Sequence, residues 1–124
     1  YNIVIIGAGN IGKALARYAG FGKEGYCVKG VFDVRPDLIG KDLSGVTVSD
    51  AAELDAFLAE TPIDIGVICT QKEDAQEIAE KLVKNNVHAI WNFAPIDVHV
   101  ENASVENVHL SDSLYVLSYR LTNA

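Results

Sequence analysis

The sequence predicts an α/β domain with a doubly wound, mostly parallel sheet. Short apolar runs alternate along the chain with segments whose apolar residues recur at helical spacing. The first run, residues 1–6, is followed at once by three glycines spaced G-x-G-x-x-G and then by a helical segment. Because parallel strands need long crossover connections, which helices usually supply, this alternation favours a parallel sheet.

The first half of the chain is predicted to hold three strands and two helices. We expect strands at residues 3–6, 27–32 and 46–48. The first helix runs from the glycines to a glycine-rich stretch at residues 20–25, and its buried stripe is expected to be Ile11, Ala14, Leu15 and Tyr18. Asp50 and Glu53 resemble a capping box for the second helix. Pro62 is expected to end that helix, whose buried face would consist of Leu54, Phe57 and Leu58.

The second half continues the alternation. A near-continuous apolar run at residues 63–69 is typical of a strand covered on both faces. Thr70 and Glu73 resemble a second capping box. The helix after them has the periodic apolar residues Ala75, Ile78, Ala79, Leu82 and Val83. We expect further strands at residues 88–93, 98–100 and 105–110.

Residues 111–121 form a predicted helix that is apolar on most of its sides. Ser111 or Asp112 can cap it, and its main stripe is Leu110, Leu114, Leu117 and Leu121. Such a helix needs more burial than one sheet face supplies, so we expect an absent domain or a second subunit to cover it. The alternative is an ordinary final helix packed on its own sheet.

Composition limits the class of protein. The 124 residues correspond to one domain, and the net charge of −7 argues against duplex DNA or an anionic membrane as a direct partner of these residues. No run approaches the ~20 apolar residues of a membrane span, and a cytoplasmic location is expected. Cys27 and Cys69 are predicted to be buried free thiols. Since the chain lacks methionine and begins within a strand, we expect an upstream domain to be missing.

The glycine motif is typical of a Rossmann-like dinucleotide site. Gly7 permits a tight turn, Gly9 lets the backbone approach a pyrophosphate, and Gly12 lets the helix pack closely on the strand. The first N–H groups of the helix then face the phosphates. The predicted phosphate loop consists of Gly7, Ala8, Gly9, Asn10, Ile11 and Gly12.

An acidic residue, Asp33, lies 21 positions after Gly12. Its carboxylate can accept hydrogen bonds from a ribose 2′-hydroxyl and would repel a 2′-phosphate, which favours NAD(H) over NADP(H). Arg35 leaves the other choice open because a guanidinium could pair with a 2′-phosphate, although Pro36 favours a role in a turn. A turn role for Asp33 itself is the alternative interpretation.

Two other segments follow strands whose carboxyl ends share this edge of the sheet. Lys72 and the start of a helix could meet ribose or phosphate, in a segment formed by Thr70, Gln71 and Lys72. An amide and an apolar wall could hold the nicotinamide, in a segment formed by Asn92, Phe93, Ala94 and Pro95. The alternatives are that Thr70 only caps a helix and that Pro95 only ends a strand.

Catalytic groups are not recognisable in the sequence. It contains neither a Tyr-x-x-x-Lys pair nor a G-x-S-x-G segment. His88, His99 and His109 lie in or beside strands and lack the spacing of metal ligands, so we expect structural or surface roles. The sequence therefore predicts a domain that binds a redox cofactor and is not an enzyme.

The glycine motif and five further segments together resemble the Rex family of redox-sensing transcriptional repressors. The five segments are ARYAGFG (16–22), FDVRP (32–36), DIGV (64–67), NFAP (92–95) and LSY (117–119). The resemblance implies a missing N-terminal winged-helix domain that alone contacts operator DNA, and a Rossmann domain at residues 1–110 that binds NADH or NAD⁺. It also implies a homodimer in which a C-terminal helix, residues 111–124, is exchanged between subunits, and DNA binding that NADH relieves. Tyr18 would lie near the nicotinamide as part of the sensor.

One departure from the family concerns the proposed switch. The family usually has aspartate where this chain has His109, and that aspartate is thought to help switching between redox states. A histidine there could add pH sensitivity near neutrality.

An apolar wall at residues 93–95 would disfavour the cationic nicotinamide of NAD⁺ and so prefer NADH. The alternatives are the cofactor domain of an NAD-dependent dehydrogenase, a nucleotide-binding regulatory domain of a potassium transporter, and a CoA-binding domain. In the last, Asp33 would lack its ribose role.

Overall fold

The computed structural model describes residues 1–18 and 20–122, and of residues 20 and 110–115 only the backbone. Seven strands form one sheet in these residues: β1 Asn2–Ile6, β2 Cys27–Asp33, β3 Asp42–Leu43, β4 Val46–Asp50, β5 Ile65–Ile68, β6 Ala89–Asn92 and β7 Ser104–Asn107. The helices are α1 Asn10–Ala16, α2 Gly20–Lys23, α3 Leu54–Glu60, α4 Lys72–Lys84 and α5 Leu110–Thr122, with a 3₁₀ turn, Ala51–Glu53, before α3.

The strand order is β3-β4-β2-β1-β5-β6-β7, and every pair is parallel except β3 with β4. The chain builds outward from β1 to β4 on one side and then crosses to β5 on the other. This confirms the predicted doubly wound, mostly parallel sheet, with its switch point between β1 and β5.

The face of the sheet that α3 and α4 cover is closely packed. Leu54, Leu58 and Leu82 are buried there, as predicted. A Cβ added to Gly66 would lie 2.6 Å from a methyl group of Leu82, so the missing side chain in β5 lets α4 sit close to the sheet. Burying one leucine of this kind contributes about 1.5–3 kcal/mol.

The opposite face is less fully covered. Between the sheet and α2 lies a groove of about 450 Å³ whose walls are mainly apolar, and its apolar lining includes Ile3, Phe21, Tyr26, Ile65, Trp91 and Val105. The apolar residues Val116, Leu117 and Leu121 of α5 are exposed. The expectation that this helix needs more burial than its own sheet supplies is consistent with that exposure, whereas exchange between subunits stays a prediction.

Three predictions about the first half are wrong. Of the stripe proposed for α1, Ile11, Ala14 and Tyr18 are exposed, because α1 turns Gly12 toward the sheet. The stretch at 20–25 does not only end a helix, since it contains α2. Cys27 is exposed because it begins β2, where the residues alternate toward solvent before the buried part of the strand.

Three further predictions also differ from the structure. Residues 98–100 are not a strand, since the side chain of Asn107 accepts the Val98 N–H at 3.0 Å and no ladder forms. Asp50 caps the 3₁₀ turn by accepting the Ala52 N–H at 2.9 Å, and the reciprocal bond from Glu53 is not among the described contacts. Ser111 and Asp112 fall inside α5, which starts at Leu110.

Candidate functional site

Four neighbouring strand ends form a row along the carboxyl edge of the sheet. The N–H groups of Gly7, Cys69 and Phe93 each donate to a carbonyl near the end of the adjacent strand, at 2.7, 2.7 and 2.8 Å. Asp33 ends β2 beside Gly7. With strands ~4.8 Å apart, the row from Asp33 to Phe93 spans about 14 Å. The residues predicted to contact the two halves of a dinucleotide therefore lie on one edge.

The three glycines of the loop are required for different reasons. Gly7 has a φ of +108°, and a Cβ on it would overlap the carbonyl group of Cys69. A Cβ on Gly12 would overlap the carbonyl of Gly7, so α1 can lie this close to β1 only with glycine there. A Cβ on Gly9 would meet no described atom within 4 Å apart from its chain neighbours. The fold thus requires the first and third glycines and leaves the second unexplained.

The loop opens directly into the start of α1. Gly9 is the N-cap, no side chain caps the helix, and its first turn holds no acidic residue. Gly7 and Ala8 are buried, whereas Asn10 and Ile11 are exposed. Since the first N–H groups of a helix lack intrahelical partners, this end favours an anion.

Asp33 joins the loop to the end of β2. One carboxylate oxygen accepts the Ala8 N–H at 2.6 Å, and the other accepts those of Val34 and Arg35 at 2.7 and 2.9 Å. The turn role that the sequence left open is therefore real. One acceptor position of the carboxylate is still open, because its two oxygens offer about four acceptor positions and three are used.

Arg35 is held by a neighbouring acid. Its guanidinium lies 2.9 Å from Asp37, and both side chains are more than half exposed. Such a pair contributes little to stability. The Asp37 carboxylate does offset the positive charge of Arg35 that would otherwise attract a 2′-phosphate. This agrees with the preference for NAD(H) inferred from Asp33.

A cleft of about 500 Å³ lies between the glycine loop, the end of β2 and α4. Its walls include six of the predicted residues, namely Gly7, Gly9, Asp33, Arg35, Thr70 and Gln71. Sequence reasoning missed others, among them Val34, Ala51, Ala52, Asp74, Glu77, Ile78 and Lys81. Asp74, Ile78 and Lys81 share one face of α4, and their i, i+4, i+7 spacing could have identified them.

The second predicted capping box is wrong. Because α4 begins at Lys72, its N-cap is Gln71, and Thr70 lies one residue too early to cap it. The Thr70 hydroxyl donates to the Gln71 carbonyl at 3.2 Å. Lys72 is exposed and does not line the cleft. Thr70 and Gln71 remain candidates for ligand contact, and Lys72 a less favourable one.

Cys69 lines the cleft, and its backbone carbonyl lies beside Gly7. Burial raises the pKa of the Cys69 thiol from 9.0 to about 12. The group is therefore a protonated, uncharged thiol near neutral pH and not a nucleophile. Among the described residues no cluster of His, Cys, Asp and Glu is arranged to hold a metal ion.

Asn92 is fully buried, and its amide is engaged inside the protein. It donates to the Ile96 carbonyl at 2.7 Å and to the Asn107 side chain at 2.9 Å, and it accepts the Ala94 N–H at 3.0 Å. This geometry supports an indirect role for Asn92, which shapes the loop, and does not support direct contact with a nicotinamide. Asn107 was missed by sequence reasoning.

The predicted apolar wall follows Asn92. Phe93 is half-buried against Trp91, with ring centroids 4.6 Å apart, and Ala94 is buried. Pro95 is exposed, as is the neighbouring Ile96. The first two residues of the wall, Phe93 and Ala94, are therefore packed against the protein, whereas Pro95 is open to solvent.

Tyr18, which the resemblance places near the nicotinamide, keeps that role as a prediction. It follows the far end of α1, about 10 Å of helix from the glycine loop, and packs edge-on against Phe21 at 4.9 Å. His109 contacts Asp97 just before α5. His88 bonds the Asn102 carbonyl at 2.9 Å, and His99 is exposed.

Comparisons with known proteins agree with this geometry. A model of the CoA binding domain family matches residues 1–96. The chain belongs to the CoA binding domain family. Its predicted resemblance to the Rex repressors is also confirmed, since the redox-sensing transcriptional repressor Rex of Clostridium novyi (strain NT) is 52% identical over 122 residues. Those residues are 98% of this chain and 58% of that repressor.

Two solved structures share both fold and sequence. The crystal structures of RSP, a Rex-family repressor, with β-NADH and with β-NAD⁺ and operator DNA each superpose with a TM-score of 0.93 at 48% identity. They cover 99% of this chain and 60% and 57% of RSP. The chain thus spans less than two thirds of the proteins it matches. Among its described residues, no helix combines the length and apolarity needed to cross a membrane.

Proposed function

We propose that this chain is the NAD(H)-sensing and dimerisation domain of a redox-responsive transcriptional repressor whose DNA binding NADH relieves. The observation that carries the proposal is Gly9. Gly9 lines the cleft and no described atom would touch a Cβ there, so the close approach of a bound group would explain a glycine at this position. A pyrophosphate at the start of α1 is the group that this geometry suits.

The neighbouring residues favour NAD(H) as the ligand. Asp33 keeps an acceptor position for a ribose hydroxyl, and Asp37 offsets the charge of Arg35. CoA, which the family's description suggests, carries a phosphate on its ribose that the Asp33 carboxylate would repel. RSP has been crystallised with β-NADH, and with β-NAD⁺ together with operator DNA. That pairing supports a repressor that binds DNA in its NAD⁺ form.

Binding without turnover also fits the cleft. Its described lining includes neither histidine nor tyrosine, its lysine, Lys81, is paired with Asp55 at 3.6 Å, and its thiol is protonated near neutral pH. We therefore favour a sensor over the cofactor domain of a dehydrogenase. A sensor needs only different affinities for two states, and a coupling of about 1–3 kcal/mol is typical.

A homodimer is proposed from two apolar surfaces on one chain. The groove between the sheet and α2 is lined mainly by apolar side chains, and α5 exposes Val116, Leu117 and Leu121. A second copy of the chain would bury the helix of one subunit in the groove of the other. Contact with operator DNA is assigned to a winged-helix domain outside these residues, since the net charge here is −7.

The test of the ligand compares two glycines. Gly9→Ala should cost at most about 1 kcal/mol of stability, the usual N-cap preference of glycine over alanine. The added Cβ should lower the affinities for NADH and for NAD⁺ by the same factor, about 5- to 150-fold. This factor corresponds to the ~1–3 kcal/mol cost of overpacking. Gly12→Ala should instead lower the melting temperature, because its clash is with the protein's own backbone.

Fluorescence and calorimetric titrations with NADH, NAD⁺, NADPH and CoA measure the affinities, and thermal unfolding measures stability. Gly22→Ala, whose Cβ meets open space in α2, is the matched control. Wild-type protein that binds CoA and no NADH would overturn the proposal. Unchanged NADH affinity in Gly9→Ala would remove its main support.

A further inference from the structure

The loop at residues 93–98 and the start of α5 are joined by Asn107. Its side-chain oxygen accepts from Asn92 at 2.9 Å and from the Val98 N–H at 3.0 Å, while the Val108 N–H donates to the Asn92 carbonyl at 2.8 Å. Asn107 therefore bonds both ends of the loop that carries Phe93, Ala94 and Pro95. It is also the last residue of β7, three residues before α5 begins.

We propose that Asn107 is a positioning residue that couples the apolar wall of the site to the helix α5. Its one side-chain oxygen sets the distance between Asn92 and Val98, and its backbone leads directly into α5. Movement of the wall must therefore either move the end of β7 or break these bonds. The contact of His109 with Asp97 ties the same two segments a second time.

The inference rests on the proposed function, because it assumes that residues 93–95 face the nicotinamide. The two redox forms differ there in charge, and a dry apolar wall disfavours the cation. Loosening the wall would admit water and weaken this discrimination. NADH should therefore lose more affinity than NAD⁺ when Asn107 is removed, whereas a loss of stability alone would weaken both forms equally.

Three variants test this. Asn107→Ala removes the acceptor, and Asn107→Asp keeps an oxygen for both short bonds. Asn85→Ala is the control, since Asn85 makes a comparable pair of side-chain bonds, to Asp55 at 3.1 Å and to the Lys81 carbonyl at 2.9 Å, at the far end of α4. We expect Asn107→Ala to lower the affinity for NADH about 5- to 30-fold, as the loss of two hydrogen bonds implies. The fold-loss of affinity for NAD⁺ should be smaller by a factor of about three or more. Asn107→Asp should return the NADH/NAD⁺ affinity ratio to its wild-type value.

Hydrogen exchange of the wild-type protein provides a measurement that needs no variant. NADH should slow exchange both at residues 94–98 and at residues 107–110. Protection confined to the first segment would overturn the coupling, and so would an unchanged affinity ratio in a folded Asn107→Ala. Wild-type protein that binds no NADH would overturn the proposed function and this inference with it, so the two failures are distinguishable.

Discussion

Replacing Asp33 by asparagine separates its two roles. Asparagine keeps the shape of the side chain and one oxygen, which can still accept the N–H groups of Val34 and Arg35. Its amide nitrogen would then face the Ala8 N–H, donor against donor, where the carboxylate now accepts at 2.6 Å. A hydrogen bond to a charged group contributes about 1.5–3 kcal/mol, so we expect a destabilisation of that order together with a loosened glycine loop.

The same change should reduce discrimination against NADPH. Two unit charges 4 Å apart repel by about 1 kcal/mol in water and about 4 kcal/mol near a protein surface. Because Asp33 is only partly buried, the lower part of this range applies, and about 1–2 kcal/mol corresponds to a 5- to 30-fold change in the ratio of affinities. NADH should bind more weakly in absolute terms, since the ribose loses an anionic acceptor.

Titrations with NADH and NADPH, together with thermal unfolding, measure these effects. Asp64→Asn is the matched control, because Asp64 also accepts a backbone N–H, that of Asn2 at 2.7 Å, at the opposite edge of the sheet. It should lose stability and leave the NADH/NADPH ratio unchanged. If Asp33→Asn leaves both affinities at their wild-type values, the assignment of Asp33 to the ribose is refuted.

Three further predictions concern assembly and the thiols. Deleting residues 111–124 should convert a dimer into monomers or aggregates by light scattering, and a soluble dimer of the truncated chain would count against the role of α5. Cys27 should be alkylated well before Cys69 at pH 8, because raising a thiol pKa from 9.0 to about 12 lowers the thiolate fraction ~1000-fold and intrinsic nucleophilicity recovers only part of that. Stability should also fall as pH rises from about 9 to about 12, since the unfolded thiol ionises first, and Cys69→Ala should flatten this fall.

The sequence predicted the sheet and the glycine loop because both depend on local patterns. Continuous apolar runs indicate strands that are buried on both faces. The spacing of the three glycines indicates a strand, a turn and a helix in succession. The edge strand β3 escaped prediction because it is only two residues long. Its hairpin with β4 is closed by Ser44 and Gly45, whose φ angles of 54° and 92° suit the tight turn of a hairpin.

Other errors arose where contacts are not local. Helical spacing showed that one face of α1 is apolar, but it could not show that Gly12 turns toward the sheet and leaves Ile11 and Tyr18 exposed. Val98 resembles part of a strand in the sequence because it is apolar. In the structure it is buried, but its N–H donates to the side chain of Asn107 and not to a neighbouring strand. Hydrogen bonds between side chain and backbone across nine residues leave no periodic pattern.

Two segments at the carboxyl edge of the sheet are proposed to have different roles. One holds the ligand, and the other distinguishes its redox forms. In the complex that we propose, the loop around Gly9 faces the pyrophosphate, which NADH and NAD⁺ share, so we expect this loop to bind both forms equally. In the same proposed complex, the wall that follows the fully buried Asn92 faces the nicotinamide, the part of the ligand that differs in charge. Changes in the loop should therefore weaken both forms in the same proportion, whereas a change at Asn107 should alter their ratio. If Asn107→Ala, like Gly9→Ala, lowered the affinities for NADH and NAD⁺ by the same factor, this distinction would be contradicted. Redox discrimination would then be assigned to residues outside the wall.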